Sequence, residues 1–254
     1  MIISLREAVH RVYGRRLQRR LAFVPRHVAL VTDGNRRWAR QMGYGDPSAG
    51  HRHGAAHLDR VLGWCGELGI RHVTIYAASV DNLRKRAAAE VDHLLQLIED
   101  ACEERLSRPE SPWRVRVAGR VDVLPDSTRE ALKRAEEETR DRPSTLTVAI
   151  GYDGREEVVE AVRKALVDAA ASGASAASLG DRFAPEDIDL HLYTSGLPDP
   201  DLVIRTSGER RMSGLLLWQS AFSELYFCDV YWPGFRRIDF LRALRAYSDR
   251  RLRS

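Results

Sequence analysis

The feature that most constrains the fold is an alternation of short β-branched runs with longer segments of helical periodicity. The predicted strands are His27–Val31, Arg71–Ala77, Trp113–Val117, Thr145–Ile150 and Asp201–Ile204, with Leu225–Phe227 as a sixth. The predicted helices between them are Gly54–Leu68, Glu90–Leu106, Ser127–Arg140 and Glu156–Ala171, where apolar residues recur at intervals of three and four. This order predicts an α/β fold, in which helices flank a mostly parallel sheet of about six strands.

The length of the chain fits a single domain. It has 254 residues, of which 44% are apolar and 30% are charged, enough to bury one substantial core. We expect this domain over residues 25–254, preceded by a basic amphipathic helix within residues 1–24. Docking on its own domain is the expected role of that helix, and contact with an anionic membrane surface is the alternative.

Several features bear on the cellular setting. No apolar run approaches the roughly 18 to 20 residues that span a bilayer, and the N-terminal segment lacks the unbroken apolar stretch of a secretory signal. We therefore expect a cytoplasmic protein, peripheral at the inner face of the membrane if the basic helix contacts lipid.

Cys65, Cys102 and Cys228 have no zinc-ligand spacing and are predicted to be core thiols. Ala169–Asp181, rich in small residues, is predicted to be a helix end followed by a flexible loop.

The charge balance favours an anionic partner. Forty Lys and Arg residues stand against 36 Asp and Glu residues, which gives a formal net charge of +4. Nucleic acid, a membrane surface and a diphosphate substrate all satisfy this condition. A nucleic-acid binder is disfavoured because the arginines are interleaved with acids, without stacking aromatics or a helix-turn-helix pattern.

A cluster of polar and cationic residues follows the first predicted strand, where Thr32 leads into Asp33-Gly34-Asn35-Arg36-Arg37-Trp38-Ala39-Arg40. Parallel sheets bind their ligands at the carboxyl ends of the strands. Backbone N–H groups at a helix start and forked guanidinium groups bind phosphate oxygens, and a carboxylate is a hard ligand for Mg²⁺. The cluster predicts a metal-bridged phosphate site; an Asp-Gly turn before a solvated basic helix is the alternative.

The same segment is similar to the D-G-N-x-R-W-A signature of the cis-prenyltransferase family, which includes undecaprenyl diphosphate synthases. Further matches follow in the family's order, so that the resemblance covers roughly Pro25 to Arg251. They are Gly50-His51 with Gly54, Ser79-Val80-Asp81-Asn82, Gly151-Tyr152-Asp153-Gly154-Arg155, and Asp199 to Glu209 with Arg211, Ser213, Leu217-Trp218-Gln219 and Glu224-Leu225-Tyr226-Phe227.

The resemblance implies a homodimeric α/β enzyme with an apolar tunnel for the growing chain. It implies Mg²⁺-dependent condensation of isopentenyl diphosphate with an allylic diphosphate, such as geranyl or farnesyl diphosphate, to a Z-polyprenyl diphosphate. On the matching positions Asp33 and Asn82 would be catalytic, and Asp33 and Glu224 would hold Mg²⁺. Substrate-binding residues would be Gly34, Asn35, Arg36, Arg37, Trp38, His51, Ser79, Arg205, Arg211 and Ser213.

Within that implied set the roles differ. Arg37 and the turn before it would bind the allylic diphosphate, Trp38 would flank the reacting prenyl group, and Asn82 and Ser79 would orient the reacting centre and assist proton removal. Arg205, Arg211 and Ser213 would hold isopentenyl diphosphate. Without the family pattern, the favoured interpretation is that the two arginines are surface residues and that Glu224 is a partner for one of them.

Departures from the family pattern bear on product length. Arg36, Leu83 and the Gly43-Tyr44 pair resemble short-chain actinobacterial synthases of Z,E-farnesyl diphosphate, whereas the small Ala77 at a tunnel position favours longer products. We expect a short- to medium-chain product. The alternatives are a long-chain undecaprenyl or decaprenyl diphosphate synthase, a non-catalytic accessory subunit of the same fold, and irregular coupling of two allylic diphosphates.

Two further departures leave residue roles open. The loop before Glu90 is one residue longer than usual, so the basic residue that contacts substrate is Arg84, Lys85 or Arg86. The C-terminus lacks the Arg-x-Gly ending that many members carry, and Asp153 replaces the usual glycine of the fourth motif.

Overall fold

Six parallel strands form the centre of the molecule, for which a computed structural model describes residues 5–173 and 182–253. The strands are β1 His27–Val31, β2 His72–Ser79, β3 Trp113–Ala118, β4 Ser144–Tyr152, β5 Leu202–Arg205 and β6 Glu224–Phe227. Their order in the sheet is β3-β4-β2-β1-β5-β6, and every neighbouring pair is parallel. The predicted strands and the predicted α/β class are confirmed, with ends that differ by one or two residues.

The helices lie between the strands in the alternating order that the periodicity predicts. They are α1 Leu5–Gln18, α2 Asn35–Gln41, α3 Ser48–Glu67, α4 Val80–Lys85, α5 Ala88–Ala101, α6 Asp126–Glu138, α7 Gly154–Ala171, α8 Pro185–Asp189 and α9 Arg237–Arg251. The predicted helix Glu90–Leu106 divides into α5 and a π-helical turn, Cys102–Leu106. Of the predicted loop Ala169–Asp181, residues 174–181 lie outside the described residues.

The strand order places a crevice beside β1. From β1 the chain moves first to β2 on one side and later to β5 on the other, so the order reverses at the β1–β5 pair. Both strands are buried along their full length. In open parallel sheets the crevice outside the carboxyl ends at such a reversal is where ligands bind, and Asp33 and Arg205 meet there.

The N-terminal helix α1 packs on α9. Gly14 lies against Leu241, and Leu17 is buried in the same hydrophobic core as Leu241. The chain that follows is fastened to α9, because the backbone N–H groups of Ala22 and Phe23 donate to Ser248 Oγ at 3.0 and 3.2 Å. The helix α1 therefore docks on its own domain.

All three cysteines are buried, as expected for core thiols. None of the helices in the described ranges combines the length and the apolar character that crossing a bilayer requires.

Candidate active site

An ion pair joins the ends of the two central strands. Arg205 Nε and Nη2 donate to Asp33 Oδ2 at 2.9 and 2.8 Å, and Arg205 Nη1 donates to the carbonyl oxygen of Arg211. The backbone around Asp33 is also fixed, since its carbonyl oxygen accepts from Thr206 Oγ1 at 2.8 Å and from the N–H of Trp232 at 3.0 Å. Asp33 therefore has a defined position at the carboxyl end of β1.

The turn after Asp33 requires glycine at two positions, Gly34 in the turn itself and Gly54 in α3 beside it. Gly34 has φ of 102°, and a Cβ there would lie 2.7 Å from Tyr231. Asn35 donates through Nδ2 to Thr32 O at 3.1 Å, while its Oδ1 is buried and has no hydrogen-bond partner. A Cβ on Gly54 would lie 2.4 Å from that Oδ1, so α3 carries glycine where Asn35 packs against it.

A second cluster of charges surrounds Glu90. Its carboxylate lies 3.3 Å from His51 Nε2, 3.4 Å from Arg86 Nη1 and 3.7 Å from Arg36 Nη1. Arg86 also donates to Asn82 Oδ1 at 3.1 Å, and its Nε is buried with no hydrogen-bond partner. Burial and the nearby Arg86 lower the pKa of His51, so the ring is neutral near pH 7. The Glu90 carboxylate therefore contacts three side chains at this end of the sheet, those of Arg36, His51 and Arg86.

The start of α4 positions Asn82. Ser79 Oγ caps this helix by accepting from the N–H of Asn82 at 2.9 Å. The pairing of β2 with β4 shifts register between Tyr76 and Ser79, an irregularity of the kind found beside active sites. Ser79 and Asn82 consequently lie on the same cavity as Asp33.

The loop after β5 carries the remaining polar residues. Ser207 adopts φ of 74°, uncommon for a residue with a side chain, and its Oγ accepts from Arg37 Nη2 at 2.8 Å. Arg37 lies 3.3 Å from Glu209 as well, and Arg211 pairs with the other oxygen of Glu209 at 2.9 Å. Ser213, two residues after Arg211, lines the cavity.

Many of the residues described above line a cavity of about 420 Å³. Its polar lining comes from the strand ends and from the loops that follow them: Asp33, Asn35, His51, Ser79, Asp81, Asn82, Arg86, Asp153, Arg205, Arg211 and Ser213. Its apolar lining continues between the sheet and α5: Leu58, Ile75, Ala77, Leu94, Leu97, Ile98, Ala101, Cys102, Leu106 and Val148. A charged mouth and an apolar interior suit a ligand with a phosphorylated head and a hydrocarbon tail.

Five predicted site residues are not part of the cavity lining: Gly34, Arg36, Arg37, Trp38 and Glu224. Trp38 is outside the cavity lining and contacts Tyr44 and His53, with ring centroids 5.8 and 4.8 Å apart. Glu224 is the first residue of β6, where it pairs with Arg250 at 2.9 Å, whereas Asp33 lies two residues after the end of β1. The structure of one chain therefore does not bring Glu224 to Asp33.

Arg86 and Glu90 are the site residues that sequence reasoning left undecided or missed. Of the three basic candidates, Arg86 lines the cavity, whereas Lys85 pairs with Asp81 at 2.6 Å on the surface. Glu90 stands four residues after Arg86, and this spacing of opposite charges was the available signal.

Comparisons with known proteins agree with this architecture. The family model of undecaprenyl diphosphate synthases matches residues 31–254. An isoprenyl transferase of Streptomyces fradiae is 54% identical, with 95% of each chain covered. The (2Z,6E)-farnesyl diphosphate synthase of Thermobifida fusca is 48% identical, with 98% of each chain covered.

A solved structure shows the same fold. The crystal structure of lavandulyl diphosphate synthase from Lavandula x intermedia, in complex with dimethylallyl diphosphate, superimposes with a TM-score of 0.82 at 32% identity. The match covers 89% of this chain and 95% of that one. With the family model and these full-length relatives in agreement, the chain belongs to the undecaprenyl diphosphate synthase family of prenyltransferases.

Proposed function

We propose that this protein condenses isopentenyl diphosphate with an allylic diphosphate to give a short-chain Z-prenyl diphosphate of the Z,E-farnesyl type. The observation that carries the proposal is the Asp33–Arg205 pair at the mouth of a cavity with an apolar interior. The names of the relatives from Thermobifida fusca and Mycolicibacterium smegmatis, both (2Z,6E)-farnesyl diphosphate synthases, support the product class.

In the proposed reaction the two diphosphates bind on either side of Asp33. Arg37 and the turn before it receive the allylic diphosphate, and Arg205, Arg211 and Ser213 receive the diphosphate of isopentenyl diphosphate. The allylic carbon–oxygen bond breaks, diphosphate leaves, a carbon–carbon bond forms to the isopentenyl unit, and that unit loses a proton. Asn82 and Ser79 orient the carbon that loses it. Positioning and neutralisation of charge account for the catalysis.

The proposed cofactor is Mg²⁺. Asp33 presents a carboxylate at the mouth with only one of its oxygens bonded to Arg205. The described residues contain no cluster of three or more His, Cys, Asp or Glu side chains suited to a metal. This donor set fits Mg²⁺, which is commonly held by one or two carboxylates together with substrate phosphates. When bound, the ion would neutralise charge on the departing diphosphate.

The size of the cavity supports a short product. Its volume of about 420 Å³ lies near the lower end of the roughly 300–1,000 Å³ that small-molecule sites occupy. A farnesyl chain suits such a space better than an undecaprenyl chain. Elongation to long-chain products would need the apolar end of the cavity to open.

The edge strand β6 supports a proposed homodimer. Phe222, just before β6, is fully exposed, and Leu225 and Leu217 are also exposed nearby. An unpaired sheet edge with apolar side chains beside it is commonly covered by another chain. We expect light scattering of purified protein to give the mass of a dimer, and Phe222→Asp to shift it toward the monomer.

A peripheral membrane contact is a second proposed partner interaction. Val12, Arg15 and Arg16 of α1 and Arg19 just after it recur at helical spacing, and all four are exposed. Flotation with vesicles that contain anionic lipid should recover the full-length protein, but not a form without residues 1–22.

The test of the proposed activity is incorporation of radiolabelled isopentenyl diphosphate. Dimethylallyl, geranyl and farnesyl diphosphate serve as primers, with and without Mg²⁺, for wild type and Asp33→Ala. We expect Mg²⁺-dependent incorporation that the substitution abolishes. A product from dimethylallyl diphosphate alone would instead indicate coupling of two allylic units, and no product with any primer would favour an accessory subunit.

A further inference from the structure

A short segment before the last helix joins two sides of the cavity. It is the 3₁₀ turn Trp232–Gly234, which follows Tyr231 and precedes α9. The backbone N–H of Trp232 donates to the carbonyl oxygen of Asp33 at 3.0 Å, and its indole Nε1–H donates to the carbonyl oxygen of Gly54 at 2.9 Å. One residue is therefore hydrogen-bonded both to the segment that carries Asp33 and to α3.

The indole of Trp232 has a closely fixed position. Its side chain is 2% exposed and contributes to the cavity lining. The ring stacks on Phe235 with centroids 5.9 Å apart, and it meets the His57 ring at 64° with centroids 5.0 Å apart. A Cβ on Gly54 would lie 2.9 Å from the indole Cδ1, so the ring rests directly on the α3 backbone. A ring packed in this way transmits any displacement to its neighbours.

We propose that Trp232 is a positioning residue that sets the distance between the turn after Asp33 and α3. The inference rests on the proposed function, in which this turn receives the allylic diphosphate, and His51 of α3 lines the same cavity. Packing brings Asn35 against α3, whereas Trp232 adds directed hydrogen bonds to both elements, which fix a distance as well as a contact. A misplacement of about 1 Å in such a site can lower the rate by about a hundredfold.

The two substrates should respond unequally to a loss of this link. Arg205, Arg211 and Ser213, which are proposed to hold isopentenyl diphosphate, come from β5 and the loop after it. Their hydrogen bonds run to Asp33 and within that loop, not to α3. A shift of α3 should therefore weaken binding of the allylic diphosphate and leave the binding of isopentenyl diphosphate intact.

The test compares Trp232→Phe with the matched control Trp64→Phe. The first substitution keeps an aromatic ring and the backbone N–H bonded to Asp33, but removes the indole donor to Gly54. Trp64 belongs to the same helix as Gly54 and contacts the ring of Phe240, but it does not line the cavity. Calorimetry with Mg²⁺ and unreactive geranyl thiolodiphosphate measures binding at the allylic site, and calorimetry with isopentenyl diphosphate measures the other site. The incorporation assay gives kcat and KM.

We expect Trp232→Phe to raise the Kd for geranyl thiolodiphosphate and to lower kcat, each by roughly tenfold. The Kd for isopentenyl diphosphate should stay at the wild-type value, and Trp64→Phe should match wild type in all three measurements. Unchanged allylic binding in a folded Trp232→Phe, or an equal loss for both ligands, would overturn the inference.

His57→Leu decides the question if Trp232→Phe does not fold. It removes the ring that packs on the indole but leaves both hydrogen bonds of Trp232 in place. A several-fold loss confined to the allylic ligand supports the inference, and wild-type binding of both ligands overturns it. Because calorimetry does not require turnover, a wild type that binds both ligands but makes no product would contradict the proposed function alone.

Discussion

Arg205 directs two nitrogens, Nε and Nη2, at the same carboxylate oxygen of Asp33. The Arg205 side chain is 8% exposed, whereas that of Asp33 is 36% exposed. The buried guanidinium thus has its charge balanced by an acid that still faces the cavity. Removing one member of such a pair leaves an uncompensated charge in a poorly solvated place.

This pair leads to a prediction for two substitutions at one position. Asp33→Ala and Asp33→Asn should both lower kcat/KM by roughly a hundredfold or more, because each removes the negative charge at the diphosphate mouth. Asp33→Ala should also lower the free energy of unfolding by about 1–3 kcal/mol, since Arg205 loses an acceptor. Asp33→Asn keeps an acceptor oxygen and should cost less. Urea unfolding and the incorporation assay measure the two effects; equal stability of both variants would contradict the argument.

A second prediction concerns the basic residue of the third motif. Arg86→Ala should lower kcat/KM by at least tenfold, because Arg86 lines the cavity and holds Asn82 Oδ1 at 3.1 Å. Lys85→Ala is the matched control: its pair with Asp81 is on the surface, where such pairs contribute about 0–1 kcal/mol. Steady-state kinetics with each diphosphate varied in turn distinguish the two variants. Equal losses would show that the neighbouring helix, and not Arg86 itself, is what the site needs.

The sequence predicted the central strands well because they are buried. In β1 and β4 every residue is buried, so apolar runs coincide with the strands themselves. Asp33, Arg205 and Asn82 line one cavity, because the carboxyl ends of parallel strands meet at one edge, and their roles stay predictions.

What the sequence left open depends on three-dimensional packing. The periodicity of Glu90–Leu106 continues through the π-helical turn, so no pattern marked where α5 ends. The choice of Arg86 over Lys85 depends on which side of a short helix faces the cavity. Because the loop before Glu90 has an extra residue, the family pattern does not decide between the two. Glu224 matched its motif, but β6 places it beside Arg250 at the start of a strand, a position that only the sheet register reveals.

Gly54 allows a third prediction, because a Cβ there would lie 2.4 Å from Asn35 Oδ1 and 2.9 Å from Trp232. Gly54→Ala should therefore displace the Asn35 turn and lower kcat/KM by at least tenfold. Gly63→Ala on the same helix is the control, since a Cβ there meets nothing within 4 Å. It should leave activity unchanged and raise the free energy of unfolding by about 0.4–1 kcal/mol. A fully active Gly54→Ala would show that the contact with Asn35 is dispensable.

The last prediction is a loss of stability in acid that originates at His27. This ring is 1% exposed, Nδ1 donates to Pro198 O at 2.7 Å, and Nε2 lies 2.8 Å from Thr74 Oγ1, from which the neutral ring accepts. Burial lowers the pKa of His27 from 6.5 to about 4. Between these two values the unfolded chain binds a proton that the folded protein does not. The contribution is therefore complete above pH 6.5 and is lost as the pH falls toward 4.

The size of that loss follows from about 1.4 kcal/mol per pH unit, which gives about 2 kcal/mol between pH 6.5 and pH 5. Urea unfolding of wild type and His27→Gln at pH 7 and pH 5 measures it. The variant should be less stable at pH 7, because it loses the buried imidazole ring. Its free energy of unfolding should, however, fall by about 2 kcal/mol less than that of wild type between pH 7 and pH 5. Parallel pH dependences for the two proteins would mean that other groups titrate in this range and that His27 is not the source.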